Sequence, residues 1–123
     1  MVAQNIIAYY ERLFLKSQKF VIVSNNCWGF KCYQTLGRPY NTPFVGLYLY
    51  PVDYIKLIYN FEKIFDEELA FVTGSKFFEG GLTYPVGTIL DDVEIHFLHY
   101  DNADIAKDKW MRRLQRMKES RSE

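Results

Sequence analysis

The run Phe20-Val21-Ile22-Val23 empties directly into the polar loop Ser24-Asn25-Asn26-Cys27-Trp28-Gly29. An unbroken β-branched run of this kind reads as a strand buried on both faces, because a strand with one face in water would alternate apolar and polar residues. Before it, Ile6, Ile7, Tyr10, Leu13 and Phe14 recur at steps of three and four, which predicts an amphipathic helix over about 2–17. After it, Asn25 and Asn26 are placed to cap a short helix through Trp28, Tyr33 and Leu36 that Gly37 stops. Helix, strand, loop and helix in this order predict an α/β fold: a mixed or mainly parallel sheet flanked by helices, with Phe20–Val23 in its interior. Loops leaving the carboxyl ends of such strands collect ligands and catalytic groups, so the candidate site begins at Asn25.

The 123 residues form one domain, about half of them apolar, with no shift in composition to divide the chain. A chain of this size buries roughly two-thirds of its unfolded surface, so the fold needs neither disulfide nor metal. Formal charge is zero, and the whole chain therefore offers no electrostatic footprint for nucleic acid or an acidic membrane. Cys27 and Cys32 stand five positions apart without a CxxC pair or histidine spacing, so no metal site is expected, and the sequence names no cofactor. Ile6-Ile7-Ala8 is followed at once by Glu11, Arg12 and Lys16, which is not a signal peptide, and no apolar run reaches membrane-spanning length. The expectation is a cytoplasmic protein with reduced thiols.

Downstream, Arg38-Pro39-Tyr40-Asn41-Thr42-Pro43 must be an extended loop, because residues preceding proline avoid helical angles. Phe44–Tyr50 reads as a short strand, and Pro51 opens a helix continuing to about Asp66. Leu69–Thr73, Pro85–Leu90 and Val93–His99 are strand-like, the last two separated by the turn Asp91-Asp92. A final helix over about 102–118 carries Ala103, Ala106, Trp110, Leu114 and Met117 on one face.

Cys27 is the leading nucleophile candidate, since amides at the first turn of a helix favour thiolate and would stabilise an oxyanion. A nucleophilic cysteine needs a base, and the chain has two histidines, His96 and His99. Strand periodicity sends them to opposite faces, and His99, at the carboxyl end of its strand, is the better partner for Cys27, with Asp101 or Asp104 near enough to orient it. Around this pair, Asn25, Asn26, Arg38, Tyr40 and Asn41 would hold an anionic or hydroxylated ligand. Trp28, Tyr40 and Tyr84 would serve as stacking platforms, and Asp92 is a further polar candidate. The basic residues of the last helix, Lys107, Lys109, Arg112, Arg113, Arg116, Lys118 and Arg121, are first of all a solvated face, and otherwise a phosphate contact or a docking element.

The blocks Val-Ile-Val-Ser-Asn-Asn-Cys-Trp-Gly, Leu-Gly-Arg-Pro-Tyr-Asn-Thr-Pro-Phe-Val-Gly-Leu, Asp-Tyr-Ile-Lys, Tyr-Pro-Val-Gly, Glu-Ile-His-Phe-Leu-His-Tyr and Ala-Lys-Asp-Lys-Trp-Met-Arg-Arg span about 20–116. Together they resemble an uncharacterised bacterial family that carries a domain of unknown function and is often associated with exopolysaccharide or capsule biosynthesis. The resemblance implies a Rossmann-like architecture and a cell-surface polysaccharide context, and it transfers no catalytic residue. It also implies that family members continue beyond the basic helix, so that this chain is a short or truncated form. Two functions follow as expectations: an accessory transferase or hydrolase acting on a sugar or sugar nucleotide, or a non-catalytic carbohydrate- or partner-binding module.

Overall fold

A computed structural model of the chain describes residues 22–26, 29–37 and 40–122. Three α-helices are present among them: α1 (Gly29–Leu36), α2 (Pro51–Tyr59) and α3 (Ala103–Ser122). A short 3-10 helix (Phe61–Asp66) continues from α2, and three strands follow: β1 (Ala70–Val72), β2 (Val86–Ile89) and β3 (Val93–His96). Gly37, at φ +66°, ends α1 as the sequence indicates. The helix foreseen over 2–17 lies outside the described residues, as do Phe20 and Val21.

The strands form one sheet in the order β1-β2-β3, and both pairings are antiparallel. This corrects the expected parallel, Rossmann-like sheet. The physical reason is the connection: Ile89 pairs with Val93 across a three-residue turn, Leu90–Asp92, and so tight a link joins only antiparallel strands. A parallel pair would need a crossover of about a dozen residues or more. The turn holds Leu90 and Asp91 at φ +51° and +70°. Ile22 and Val23 belong to no strand; the Ile22 N–H donates to the Tyr33 hydroxyl at 2.8 Å, and the Val23 carbonyl accepts from the Tyr54 hydroxyl at 3.0 Å. Side-chain phenols thus take the place a sheet ladder was expected to fill.

Phe44–Tyr50, read as a strand, contributes a single antiparallel bridge between Tyr48 and His96, closed by hydrogen bonds of 2.8 and 2.9 Å. That bridge flanks β3 on the side opposite β2, so all four β3 residues are buried. Val93, Ile95 and Phe97 join Leu47, Leu49, Leu57 and the α3 residues Ala106, Trp110, Leu114 and Met117 in one apolar core. Burying each large side chain of this kind contributes about 1.5–3 kcal/mol. Phe44 and Phe97 each meet the Trp110 ring edge to face, at 5.6 and 6.3 Å. The continuous helix expected to run through to Asp66 instead breaks at Asn60. On α2, Leu57 is buried while Val52, Ile55, Ile58 and Tyr59 are exposed.

Candidate functional site

Alternation along β3 sends Glu94 and His96 to the face opposite Val93 and Ile95, where two polar side chains require partners. Glu94 finds them in residues 75–78. Its Oε1 accepts from the Ser75 hydroxyl at 2.6 Å and its Oε2 from the Lys76 amide at 2.8 Å. Asp53, in the first turn of α2 where a negative charge is favourable, accepts the Glu94 amide at 2.8 Å and the Lys76 ammonium at 2.8 Å. Lys76 also donates to the Asp92 carbonyl at 2.6 Å, so residues 75 and 76 are strapped across the sheet by two buried carboxylates and the hairpin.

His96 is fully buried beneath this strap. Its Nδ1 lies 3.1 Å from the Tyr84 hydroxyl, and its Nε2 lies 3.1 Å from Glu94 Oε1, off the line of a proper hydrogen bond. Burial holds the imidazole below its ordinary value of 6.5, against the opposing pull of Glu94 and Asp53. Burial also raises the Tyr84 phenol above its ordinary value of 10.0, with Tyr50 and Glu94 adding to the effect. Both groups are therefore neutral at pH 7. We assign the tautomer in which Tyr84 donates to Nδ1 and Nε2–H faces the Glu94 carboxylate. Rings surround the imidazole: Tyr50 at 5.1 Å, Tyr84 at 5.7 Å, and Phe77 and Phe78 each at 6.2 Å. Tyr50 and Phe77 stack at 4.1 Å, and Tyr48 closes on Tyr50 edge to face. All five of these flanking aromatic residues, Tyr48 included, are partly exposed, so a buried polar axis ends at a partly exposed cluster of rings that includes the Tyr84 hydroxyl.

Among the residues singled out from sequence, Tyr84 is part of this axis. Asp92 sits exposed at its rim, ion-paired with Lys56, which lowers the carboxyl and raises the ammonium from their ordinary values. Cys27, Trp28 and Arg38 lie outside the described residues. The Asn25 carbonyl accepts the Leu49 amide at 2.9 Å, and the Asn26 carbonyl accepts the Ser24 hydroxyl at 3.0 Å. His99 is exposed in a turn beyond β3, where a Cβ built on Gly46 would lie 3.8 Å from its own Cβ. The strand that was to carry it ends three residues earlier, because the Leu98 amide turns back to the His96 carbonyl. Tyr40 and Asn41 stand elsewhere, against α3: Asn41 accepts the Tyr33 hydroxyl at 2.6 Å, and its amide lies 3.5 Å from the Ser120 hydroxyl. Sequence reasoning passed over His96, Glu94, Asp53, Ser75 and Lys76. The available signal was the alternation in Val93–Phe97, which puts two ionisable groups on one face of an otherwise apolar strand.

Among the described residues there is no group of three or more His, Cys, Asp or Glu residues that could hold a metal, and no helix is long and apolar enough to cross a membrane. A separate groove of about 370 Å³ runs between residues 65–69 and α3, lined by Phe65, Leu69, Trp110, Met111 and Leu114.

The family model described as "Domain of unknown function (DUF1919)" matches residues 1–121. The chain belongs to this family. An uncharacterised protein of Haemophilus influenzae is similar to it, with 39% identity over 104 residues, which covers 85% of this chain and 47% of that protein. The chain thus spans about half the length of the curated relative it matches. Within DUF1919, this stretch of sequence carries both the Tyr84–His96–Glu94 axis and the basic α3 helix.

Proposed function

We propose that the domain binds a sugar or sugar nucleotide in the assembly of bacterial cell-surface polysaccharide, with Tyr84 as the group that reads a ligand hydroxyl. One observation carries this reading: the partly exposed Tyr84 phenol is fixed on a fully buried imidazole, which is itself backed by a buried carboxylate. Because the phenol spends its proton on His96, its oxygen is left to accept one from a ligand. The neighbouring, partly exposed rings of Tyr48, Tyr50 and Phe77 offer apolar surface to a pyranose ring. A fixed polar tip beside rigid rings binds with little loss of conformational freedom.

Calorimetric titration with UDP-glucose and UDP-N-acetylglucosamine, alongside the free hexoses, tests the proposal. Tyr84→Phe should weaken binding about tenfold, the cost of one hydrogen bond of roughly 1.4 kcal/mol, while leaving the fold intact. Binding that is indifferent to Tyr84→Phe, or no binding of any of these ligands, would overturn it.

A catalytic version of the same function uses Cys27 as nucleophile and His99 as base. It draws support from segment 46–49: the loop leading to Cys27 is bonded to Leu49, and His99 packs beside Gly46. Its test is Cys27→Ala, which should abolish turnover of the sugar nucleotide and spare its binding. Unchanged turnover in that variant would remove the enzyme reading.

A further inference from the structure

Helix α3 carries seven basic residues against three acidic ones, in a chain whose total charge is zero. Its cations are not equivalent. Arg112 pairs with Asp108 at 2.9 Å, one turn away, and Lys107 reaches Glu68 at 3.7 Å. Lys109, Arg113 and Arg116 follow one another at steps of four and three, which places them on a single stripe flanking the buried face of Ala106, Trp110 and Met117. Among the described residues, none of these three has a carboxylate within salt-bridge distance.

Neutral groups hold the stripe in place. The Arg113 guanidinium lies over the Tyr40 ring at 5.1 Å and donates through Nη1 to the Tyr100 hydroxyl at 2.8 Å. That hydroxyl donates in turn to the Val45 carbonyl at 2.8 Å. Arg116 Nη1 donates to the Tyr40 carbonyl at 3.2 Å, and the Lys109 ammonium lies over the Tyr100 ring at 5.4 Å. Rings and carbonyls orient a cation without cancelling its charge, which is how positive groups are kept ready for an anion. The stripe is also where the loop at Tyr40 and Asn41 meets α3.

We propose that Lys109, Arg113 and Arg116, framed by Tyr40 and Tyr100, form a binding site for the phosphoryl groups of a small phosphorylated ligand. Size favours a small ligand over a polymer. From Lys109 to Arg116 the helix rises only about 10 Å, enough for one or two phosphates. Arginine forks bind phosphate oxygens in pairs, whereas lysine supplies a point charge, and this site has both. The proposal stands on contacts separate from those of Tyr84 and His96, so either can fail without the other.

The probe is inorganic pyrophosphate, titrated into the full chain by calorimetry at two salt concentrations. The wild type should bind it, more weakly at high salt. Arg113→Gln combined with Arg116→Gln should lose about tenfold or more in affinity, since both forks that would hold phosphate oxygens are removed. Lys107→Gln combined with Lys118→Gln removes the same charge from the other flank of α3 and should change affinity less than about twofold. Lys109→Gln combined with Arg116→Gln leaves the Arg113–Tyr100 bond in place and should reproduce the loss if the first variant folds poorly. The site is overturned if the wild type does not bind pyrophosphate, if the two flanks weaken binding equally, or if a single-stranded oligonucleotide displaces pyrophosphate at far lower concentration.

Discussion

Glu94 and His96 stand two residues apart on β3 and share one face, the imidazole Nε2 3.1 Å from the carboxylate Oε1. The strand that carries them is buried on both sides, so every polar atom on that face must find a protein partner or stay unpaired. Glu94 is fully engaged by Ser75 and Lys76, and His96 by Tyr84 at Nδ1. Nε2–H is directed at a charge without a linear bond, which ties the ring to Glu94 electrostatically.

Because Glu94 receives two donors from one short segment, Glu94→Gln should release that segment before it unfolds the sheet. A glutamine amide turns one acceptor into a donor facing another donor, at a cost of about 1–3 kcal/mol. Amide hydrogen exchange should show lost protection at Lys76 with β2 unaffected. Equal loosening of β2 and residues 75–77 would mean that Glu94 supports the sheet as a whole.

Acidification should destabilise the protein through His96. Its folded value lies below the ordinary 6.5, so the unfolded chain takes up the proton first, and stability present above pH 6.5 declines as pH falls through that value toward the folded one. The slope is at most about 1.4 kcal/mol per pH unit for one proton. Thermal denaturation of wild type and His96→Gln between pH 8 and pH 5 measures it, and the variant should show the shallower loss. An identical pH profile in the two proteins would exclude His96 as the source.

Backbone conformation at the hairpin and the tight seat of β2 give opposite results for two small substitutions. Asp91 holds φ +70°, a conformation that glycine adopts freely, so Asp91→Gly should stabilise the chain by about 0.5–1 kcal/mol. A Cβ at Gly87 would come within 2.6 Å of Leu69 Cδ1 and 3.2 Å of the Ala70 carbonyl, and Leu69 is buried. Gly87→Ala should therefore destabilise by about 1–3 kcal/mol. Denaturant midpoints for both variants provide the check, and a gain for Gly87→Ala would show that the core yields there.

Local signals made α1, the β2–β3 hairpin and α3 legible in the sequence. Gly37, Asp91-Asp92 and the spacing of Ala106, Trp110, Leu114 and Met117 each act over a few residues. Strand direction is hidden because the run at Ile22 and Val23 has the composition of a central parallel strand, whereas phenols from Tyr33 and Tyr54 bind its backbone. Period-two reasoning at the end of β3 favoured His99, but the strand stops at His96 and leaves His99 exposed in a turn. The segment over His96 has no periodic signature. Lys76 owes its place to Glu94, 18 positions away, and to Asp53, 23 positions away. Such long-range hydrogen bonds leave no mark on local composition. The meeting of Tyr40 and Asn41 with Arg113 and Ser120 was equally hidden, although the loop and the helix were each visible as polar elements.

The central claim is that Tyr84 and His96 form the reading edge of a ligand site, and nitrogen-15 NMR of the histidine side chains during titration with UDP-N-acetylglucosamine tests it most directly. Before ligand, His96 should be neutral and protonated at Nε2, with Nδ1 accepting from Tyr84. On saturation its Nδ1 resonance should shift as the phenol takes up a ligand hydroxyl, and Tyr84→Phe should abolish that shift. A His96 signal unmoved by ligand, or a shift that persists unchanged in Tyr84→Phe, would contradict the account.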